Sequence, residues 1–140
     1  MSHVSKIELE IKSLWCLKMA CVRLGFQFKE NQKTHKWYGV VVNPEKYPIP
    51  EGIRQDQLGR CDHAIHVPEA EYEIGVIKVD DKFILVTDFW DTKLKNRIGE
   101  NGGLLKQAYA IERTIQEAKK RSFRILEQRV PNGVRLVLCN

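Results

Sequence analysis

The sequence lacks the long apolar run that a membrane-spanning helix requires. It begins MSHVSKIELEIKS, in which charged and apolar residues alternate, so we expect neither a signal peptide nor a membrane anchor. Its 140 residues, 43% of them hydrophobic and 29% charged, are ordinary for a folded domain that can bury one core. The sequence therefore predicts a single soluble domain over residues 1–140, resident in the cytoplasm.

Residues arranged for catalysis are also scarce. The four cysteines, at positions 16, 21, 61 and 139, match no zinc or thioredoxin-type spacing, and we interpret them as reduced, partly buried thiols. The segment GENGG lacks the Lys-Ser/Thr ending of a phosphate-binding loop. No Cys/His or Ser/His/Asp set forms a recognisable local signature. We expect a protein without enzymatic activity and without a cofactor.

One short stretch, CDHAIH at positions 61–66, is dense in metal-ligating side chains. In a strand, Cys61 and His63 would point to one side while Asp62 and His66 point to the other, because side chains alternate. Only two ligands could then converge, and nothing in the sequence places a third close by. We predict that no metal is bound and that the stretch is an edge strand leading into an acidic hairpin.

Charge is unevenly distributed along the chain. Lysine and arginine outnumber acidic residues by 10 to 6 in residues 1–60 and by 11 to 4 in residues 92–140, whereas residues 61–91 carry 8 acidic and 2 basic side chains. Such asymmetry places opposite charges on different parts of the surface and suits a charged partner, although surface charge often serves only solubility.

The first strand and helix follow from local patterns. SKIELEIKS alternates apolar and charged residues as a half-buried strand does, and Ser13 can cap a helix over LWCLKMACVRL that ends at Gly25. The helix has two apolar stripes. The core stripe is Leu14, Leu17, Cys21 and Leu24, and the second is Trp15, Met19 and Val22.

The second stripe is the candidate partner surface. In a two-layer domain only one stripe can face the sheet, so Trp15, Met19 and Val22 need another cover. That cover is either the proline-rich loop at about 43–60, near Tyr47 and Ile49, or a second protein chain.

After this loop, AEYEIGVIKVDDKFILVTDFWD predicts two strands around an Asp80-Asp81 turn, with Gly75 as a bulge. Asp88 and Asp91 are interpreted as caps of the loop that follows. TKLKNRIGENGG is interpreted as a polar connection, and a helix is predicted from Leu104 to Ser122.

The chain ends in a predicted hairpin around VPNGV. A three-residue turn would set Val130 opposite Val134 and gather the apolar residues on one face, so we prefer it to a two-residue turn. Arg129 would then lie directly opposite Arg135. Together these elements predict an α+β, two-layer sandwich, with an antiparallel sheet and two helices on one face, as a ferredoxin-like variant.

Nucleic-acid binding is the alternative to protein binding. KTHKWYGVVV partly matches the basic and aromatic pattern of an RNA-recognition strand, although Trp37 stands where that pattern has a glycine. Lys36, Trp37, Arg129 and Arg135 are the candidate contacts to an anionic polymer.

Three stretches carry a resemblance to a known family: MSHVSKIELEI, YEIGVIKVDDKFILVTDFWD and the tail from Leu104 to Leu138. They resemble a family of unknown function typified by a Ycf-type hypothetical open reading frame of algal plastids and cyanobacteria. The resemblance implies a soluble protein of bacterial or plastid type, in the plastid stroma if of algal origin, and implies no catalytic residue. Ser122 departs from the glycine usual before the following Phe. The function predicted is a non-enzymatic module that binds another protein or itself.

Overall fold

A computed structural model describes residues 4–39, 45–46 and 48–139 of the chain. Three helices are present in that part: α1 (Leu14–Leu24), α2 (Thr92–Ile98) and α3 (Gly103–Lys120). The strands are β1 (Val4–Ile11), β2 (Gln27–Lys29), β3 (His63–His66), β4 (Ile74–Val79), β5 (Lys82–Asp88), β6 (Arg124–Val130) and β7 (Gly133–Cys139).

Five strands form one antiparallel sheet in the order β1-β5-β4-β3-β2. The first two strands of the chain thus lie at opposite edges, and α1 carries the chain from one edge to the other. The predicted hairpin of β4 and β5 is confirmed. The prediction that CDHAIH forms an edge strand is wrong, because β2 pairs with the far side of β3.

Helix α1 begins and ends where the sequence predicts. The Ser13 side chain accepts a hydrogen bond from the Cys16 N–H, and Gly25 adopts the left-handed conformation with φ 77° that closes the helix. Leu17 and Cys21 of the predicted core stripe are fully buried, with Leu14 and Leu24 packed at the border of the core.

The region before α3 differs from the prediction. TKLKNRI is helix α2 rather than a polar connection, because the Asp91 carboxylate accepts the N–H groups of Lys93 and Leu94 and so caps a first turn. Its buried residues Leu94 and Ile98 join the core. The predicted second helix is confirmed as α3, which packs against α1.

The main core lies between these helices and one face of the sheet. That face presents a row formed by Ile7, Leu85 and Val76 in adjacent strands, with Ile74 and Ile65 in the next row. The predicted α+β sandwich is therefore confirmed. The ferredoxin-like arrangement is not, because the two strands after α3 pair only with each other among the described residues.

The opposite face of the sheet is covered by the two ends of the connection between β2 and β3. We call residues 31–39 and 59–62 the overlying segment; residues 40–44 and 47 of the connection lie outside the described residues. The two ends are joined by a bridge between Thr34 and Arg60, and the described residues between them include a short 3-10 turn at Gln55–Gln57. Ala64, Ile84 and Val86 are buried on this face.

Gly75 shows how closely the overlying segment packs. The prediction of a bulge there is wrong, because Gly75 pairs in regular register with Ala64 and Val86. The reason for a glycine is the ring of His35: a Cβ atom at position 75 would lie 2.5 Å from His35 Cδ2. The missing side chain makes room for the segment.

The C-terminal hairpin has a different register from the predicted one. Val130 pairs with Gly133 across a two-residue turn, Arg129 pairs with Val134, and Gln128 pairs with Arg135. The prediction assumed that all apolar side chains would share one face. Instead both faces carry apolar side chains. One face packs toward α3, and the other is exposed. No helix in the described ranges is long and apolar enough to cross a membrane.

Candidate functional site

Polar side chains of the sheet hold the overlying segment in place, with Glu73 and Asp88 on the second face and His63 on the face toward the helices. The N–H of Asn31 donates to His63 Nδ1 at 2.9 Å, that of Lys36 to Glu73 Oε1 at 3.1 Å, and that of Tyr38 to Asp88 Oδ2 at 3.2 Å. Each acceptor belongs to β3, β5 or the residue just before β4. These buried or nearly buried side chains thus supply hydrogen-bond partners to backbone N–H groups of a stretch that belongs to none of the named strands.

His35 is the residue of the overlying segment nearest to the sheet. Its side chain is buried against Gly75, and its Nδ1 has no hydrogen-bond partner among the described residues. Burial lowers the pKa of His35, an effect that the nearby charges of Glu73 and Asp88 oppose. The ring is therefore a neutral packing element at pH 7.

The side chains of the CDHAIH stretch contact other residues of the fold. His63 lies between the rings of Phe28 and Phe83, with centroid distances of 5.4 and 5.8 Å, and burial lowers its pKa. His66 is 3.9 Å from Glu73 through its Nδ1. The alternation of the two histidines across β3 is as predicted.

Cys61 and Asp62 have structural partners as well. Cys61 Sγ donates to the Gln32 carbonyl, and burial raises the pKa of this thiol to about 11. Asp62 accepts the Lys78 N–H at 2.7 Å. No group of three or more His, Cys, Asp or Glu side chains in the described part of the chain is placed to hold a metal ion. Absence of metal stays a prediction for the purified protein.

Asp88 and Asp91 cap the chain after β5, as the sequence predicts. Asp88 is fully buried and accepts the N–H of Trp90 in addition to that of Tyr38. Asp91 Oδ2 accepts the N–H groups of Glu71 and Tyr72, while its Oδ1 caps α2. Both carboxylates are thus committed to backbone donors.

The candidate RNA-recognition strand is not a strand where the structure describes it. Residues 36–39 run in the overlying segment, and positions 40–42 lie outside the described residues. Lys36 is exposed, whereas Trp37 is half-buried with its ring beside Gly59. Arg129 and Arg135 are exposed on opposite faces of the hairpin, because their register places them at alternating positions. The four candidate contacts therefore do not form one surface.

We call Trp15, Met19 and Val22 the helical surface. Trp15 is 61% exposed and Val22 68% exposed, with Met19 half-buried between them. Trp15 and Met19 line a groove of about 390 Å³ between α1 and α3, with Ile115 as its apolar floor and Glu112, Gln116, Lys119 and Lys120 as its polar rim. The loop residue Tyr47 lies outside the described residues, and Ile49 is not among the residues that line this groove.

The sequence predicted the C-terminal hairpin of β6 and β7 but not the exposed apolar surface that it forms. Leu126, Leu138, Val130 and Val137 are between 36% and 55% exposed there. The hairpin is tied to the helices by Arg23 of α1, which donates to Glu112 of α3 and to Glu127 of β6 at 2.8–3.2 Å. These bonds lower the pKa of Glu127. The uncharged stretch LVLC at positions 136–139 was the sequence signal that could have indicated this surface.

Comparison with known proteins gives a family. A family model described as "Protein of unknown function (DUF1257)" matches residues 20–137. No curated protein and no solved structure matches the chain. Because the family model covers most of the 140 residues, the chain belongs to the DUF1257 family of proteins of unknown function.

Proposed function

We propose that this protein is a non-enzymatic module that binds another protein through the helical surface. The observation that carries the proposal is the exposure of Trp15 and Val22 on one side of α1. Exposed tryptophan and methionine beside an apolar groove are enriched where proteins bind one another. We further propose residence in the cytoplasm, from the alternating charged and apolar residues at the start of the sequence, and, from the sequence resemblance, the Ycf type, with residence in the plastid stroma if the protein is of algal origin.

The groove beside the helical surface supports this choice. Ile115 gives it an apolar floor, and Glu112, Lys119 and Lys120 give it charges of both signs at the rim. An apolar centre with a charged rim is the usual anatomy of a protein interface. Trp15 would supply the largest contact area, which makes it the expected hot spot.

The non-enzymatic part of the proposal is supported by how the reactive side chains are used. His63, Glu73 and Asp88 each accept a backbone N–H. Burial raises the pKa of Cys21 to about 12 and that of Cys61 to about 11, so both thiols stay protonated at pH 7. Groups engaged in this way serve the fold.

The test is the double variant Trp15→Ala with Met19→Ser. Association with the partner, or with a second copy, is followed by light scattering and by capture from the native host with and without nuclease. We expect association to be lost while the melting temperature is nearly unchanged, because both side chains are at least partly exposed. Val79→Ser is the matched control, since Val79 is 37% exposed at the far end of β4.

A sharp drop in melting temperature of the Trp15→Ala, Met19→Ser variant with no loss of association would contradict the proposal. It would show that the second stripe belongs to the core. Capture that disappears with nuclease, together with salt-sensitive retention of the wild-type protein on single-stranded RNA, would favour the nucleic-acid alternative through Lys36, Trp37, Arg129 and Arg135.

A further inference from the structure

The C-terminal hairpin has open edges. Its two strands pair with each other over seven residues each and with no other strand in the described part of the chain. A two-stranded ribbon is marginally stable on its own and presents unpaired backbone groups to any extended chain. Here one face packs toward α3, and the other, with Leu126, Val130 and Val137, is exposed.

Strand β7 is the edge open to addition. A two-residue turn that closes on Val130 and Gly133 makes every second pair hydrogen-bonded, so the N–H and C=O groups of Val134, Leu136 and Leu138 point away from β6. Strand β6, in contrast, carries three charged residues, Arg124, Glu127 and Arg129, and Arg23 of α1 bonds the Glu127 carboxylate.

The sequence of β7 has none of the features that protect a strand edge against pairing with another strand. GVRLVLC holds one charged residue, Arg135, and no proline. Natural sheets usually protect a free edge with several charges, a proline or a bulge. The regular register from Gly133 to Cys139 shows no bulge either. An unprotected aliphatic edge of this kind is suited to a strand that arrives from another chain.

Charge decides what kind of strand fits. Leu138 lines a groove of about 370 Å³ against α3, together with Ala118 and Phe123 and with the cations Arg113 and Arg121. Arg113 bonds only the neutral Gln116, and Arg121 has no ion pair within the described residues. The single acid of the groove, Glu117, already faces Lys120 at 3.6 Å.

The side chains of the hairpin also carry mainly positive charge. Arg124, Arg129 and Arg135 are exposed and lack an acidic partner in the described ranges, while the one acid of the hairpin, Glu127, is engaged by Arg23. Two copies pairing edge to edge would bring these cations together, which opposes self-association. An acidic partner would neutralise them.

We propose that the free edge of β7 binds an extended, acidic polypeptide segment as a third strand of the hairpin. Backbone groups of Val134, Leu136 and Leu138 pair with the incoming strand. Arg135 on the exposed face and Arg121 on the face toward α3 hold carboxylates on the two sides of the incoming strand, and the exposed apolar side chains contact its apolar residues. This site is separate from the helical surface and does not depend on it.

The test uses a synthetic capped peptide of about nine residues that repeats Val-Val-Glu-Glu, so that both faces of the strand carry valine and glutamate, and its length matches an ordinary strand. Binding is measured by fluorescence anisotropy, and amide hydrogen exchange is measured with and without the peptide. We expect the Val134, Leu136 and Leu138 amides to gain protection. Replacing glutamate by lysine in the peptide, or introducing Arg121→Glu with Arg135→Glu, should weaken binding at least about tenfold.

A matched pair of variants isolates the backbone contribution. Leu138→Pro removes an N–H that points outward, whereas Leu138→Ala removes the side chain and keeps it. We expect the proline variant to bind several-fold more weakly than the alanine variant. Trp15→Ala should leave peptide binding unchanged, so failure of the helical-surface proposal and failure of this one are distinguishable.

Four results would overturn the proposal. Equal binding of the glutamate and lysine peptides would remove the charge argument. Protection confined to amides outside β7 would place the peptide elsewhere. Binding of single-stranded RNA in preference to the acidic peptide, or a dimer by light scattering that Leu138→Pro abolishes, would assign the edge to another occupant.

Discussion

The five-stranded sheet buries polar side chains, whereas the C-terminal hairpin exposes apolar ones. In the sheet, with its helices and overlying segment, Glu73, Thr87 and Asp88 are buried and each makes hydrogen bonds to other parts of the chain. In the hairpin, Leu126 and Leu138 are more than half exposed.

The reactive side chains of this protein serve the fold, and the exposed groups lie elsewhere. Histidine, cysteine and aspartate attract attention in the sequence, yet His63, Cys61 and Asp88 are explained by the hydrogen bonds they make within the fold. The residues without an internal explanation are Trp15 and Val22 on α1 and the exposed aliphatic side chains and arginines of the hairpin. A binding surface is made of groups that the fold itself leaves unsatisfied.

The largest expected effect comes from breaking the contact between the sheet and the overlying segment. Gly75→Ala places a Cβ atom 2.5 Å from His35 Cδ2. The free energy of unfolding should fall by about 2 kcal/mol, within the range for overpacking a core. Urea unfolding measures it. Gly103→Ala is the matched control, because a Cβ there meets nothing within 4 Å.

The double variant Gly75→Ala with His35→Ala should recover part of that loss, since the smaller side chain removes the clash. If Gly75→Ala were as stable as the wild-type protein, or if His35→Ala gave no recovery, the overlying segment would not pack against the sheet as described.

A smaller decrease in the free energy of unfolding is expected at acidic pH. Burial lowers the pKa values of both His35 and His63 below the ordinary 6.5, so in mild acid the unfolded chain binds protons that the folded chain does not. The free energy of unfolding should therefore decrease as the pH falls below about 6.5, by at most about 1.4 kcal/mol per pH unit for each histidine. Above that pH neither histidine contributes a slope.

His63→Asn sharpens this prediction, because the Asn side-chain oxygen can still accept the Asn31 N–H but does not titrate. Urea unfolding at pH values from about 5 to 7.5 should show a shallower pH dependence for this variant than for the wild-type protein. Identical pH dependence of the two would mean that His63 takes no part in acid sensitivity.

The smallest effect is expected where the hairpin joins the helices. Arg23→Met keeps an aliphatic stem but loses the bonds to Glu112 and Glu127, and should cost less than about 1 kcal/mol because the network is partly exposed. Amides of β6 and β7 should exchange faster, while those of β4 and β5 should not. Arg54→Met, which removes an ion pair within one loop, is the control.

Local patterns predicted those elements whose signals lie within a few residues. Ser13 and Gly25 predicted the ends of α1, and the alternation on both sides of Asp80-Asp81 predicted β4 and β5. Capping by Asp91 was predicted too, but the helix that it starts was not, because TKLKNRI is largely polar and its two buried residues pack only in the tertiary structure.

What the sequence could not predict depends on distant contacts. Gly75 suggested a bulge because the ring that requires a glycine comes from His35, forty positions earlier. The hairpin register was wrong because the face argument assumed a hairpin within the main sheet. Of the candidate site, Trp15 and Val22 were predicted from helix periodicity, whereas the open edge of β7 needed the sheet topology.

Native-state hydrogen exchange over the whole chain tests the central claim most directly, since it measures separate opening free energies for separate parts of one molecule. We expect β3, β4 and β5, with the amides of Asn31, Lys36 and Tyr38, to open only with global unfolding. The amides of β6 and β7 should open at a clearly lower free energy, with Val134, Leu136 and Leu138 the least protected. A hairpin that opens only together with the sheet would contradict this expectation.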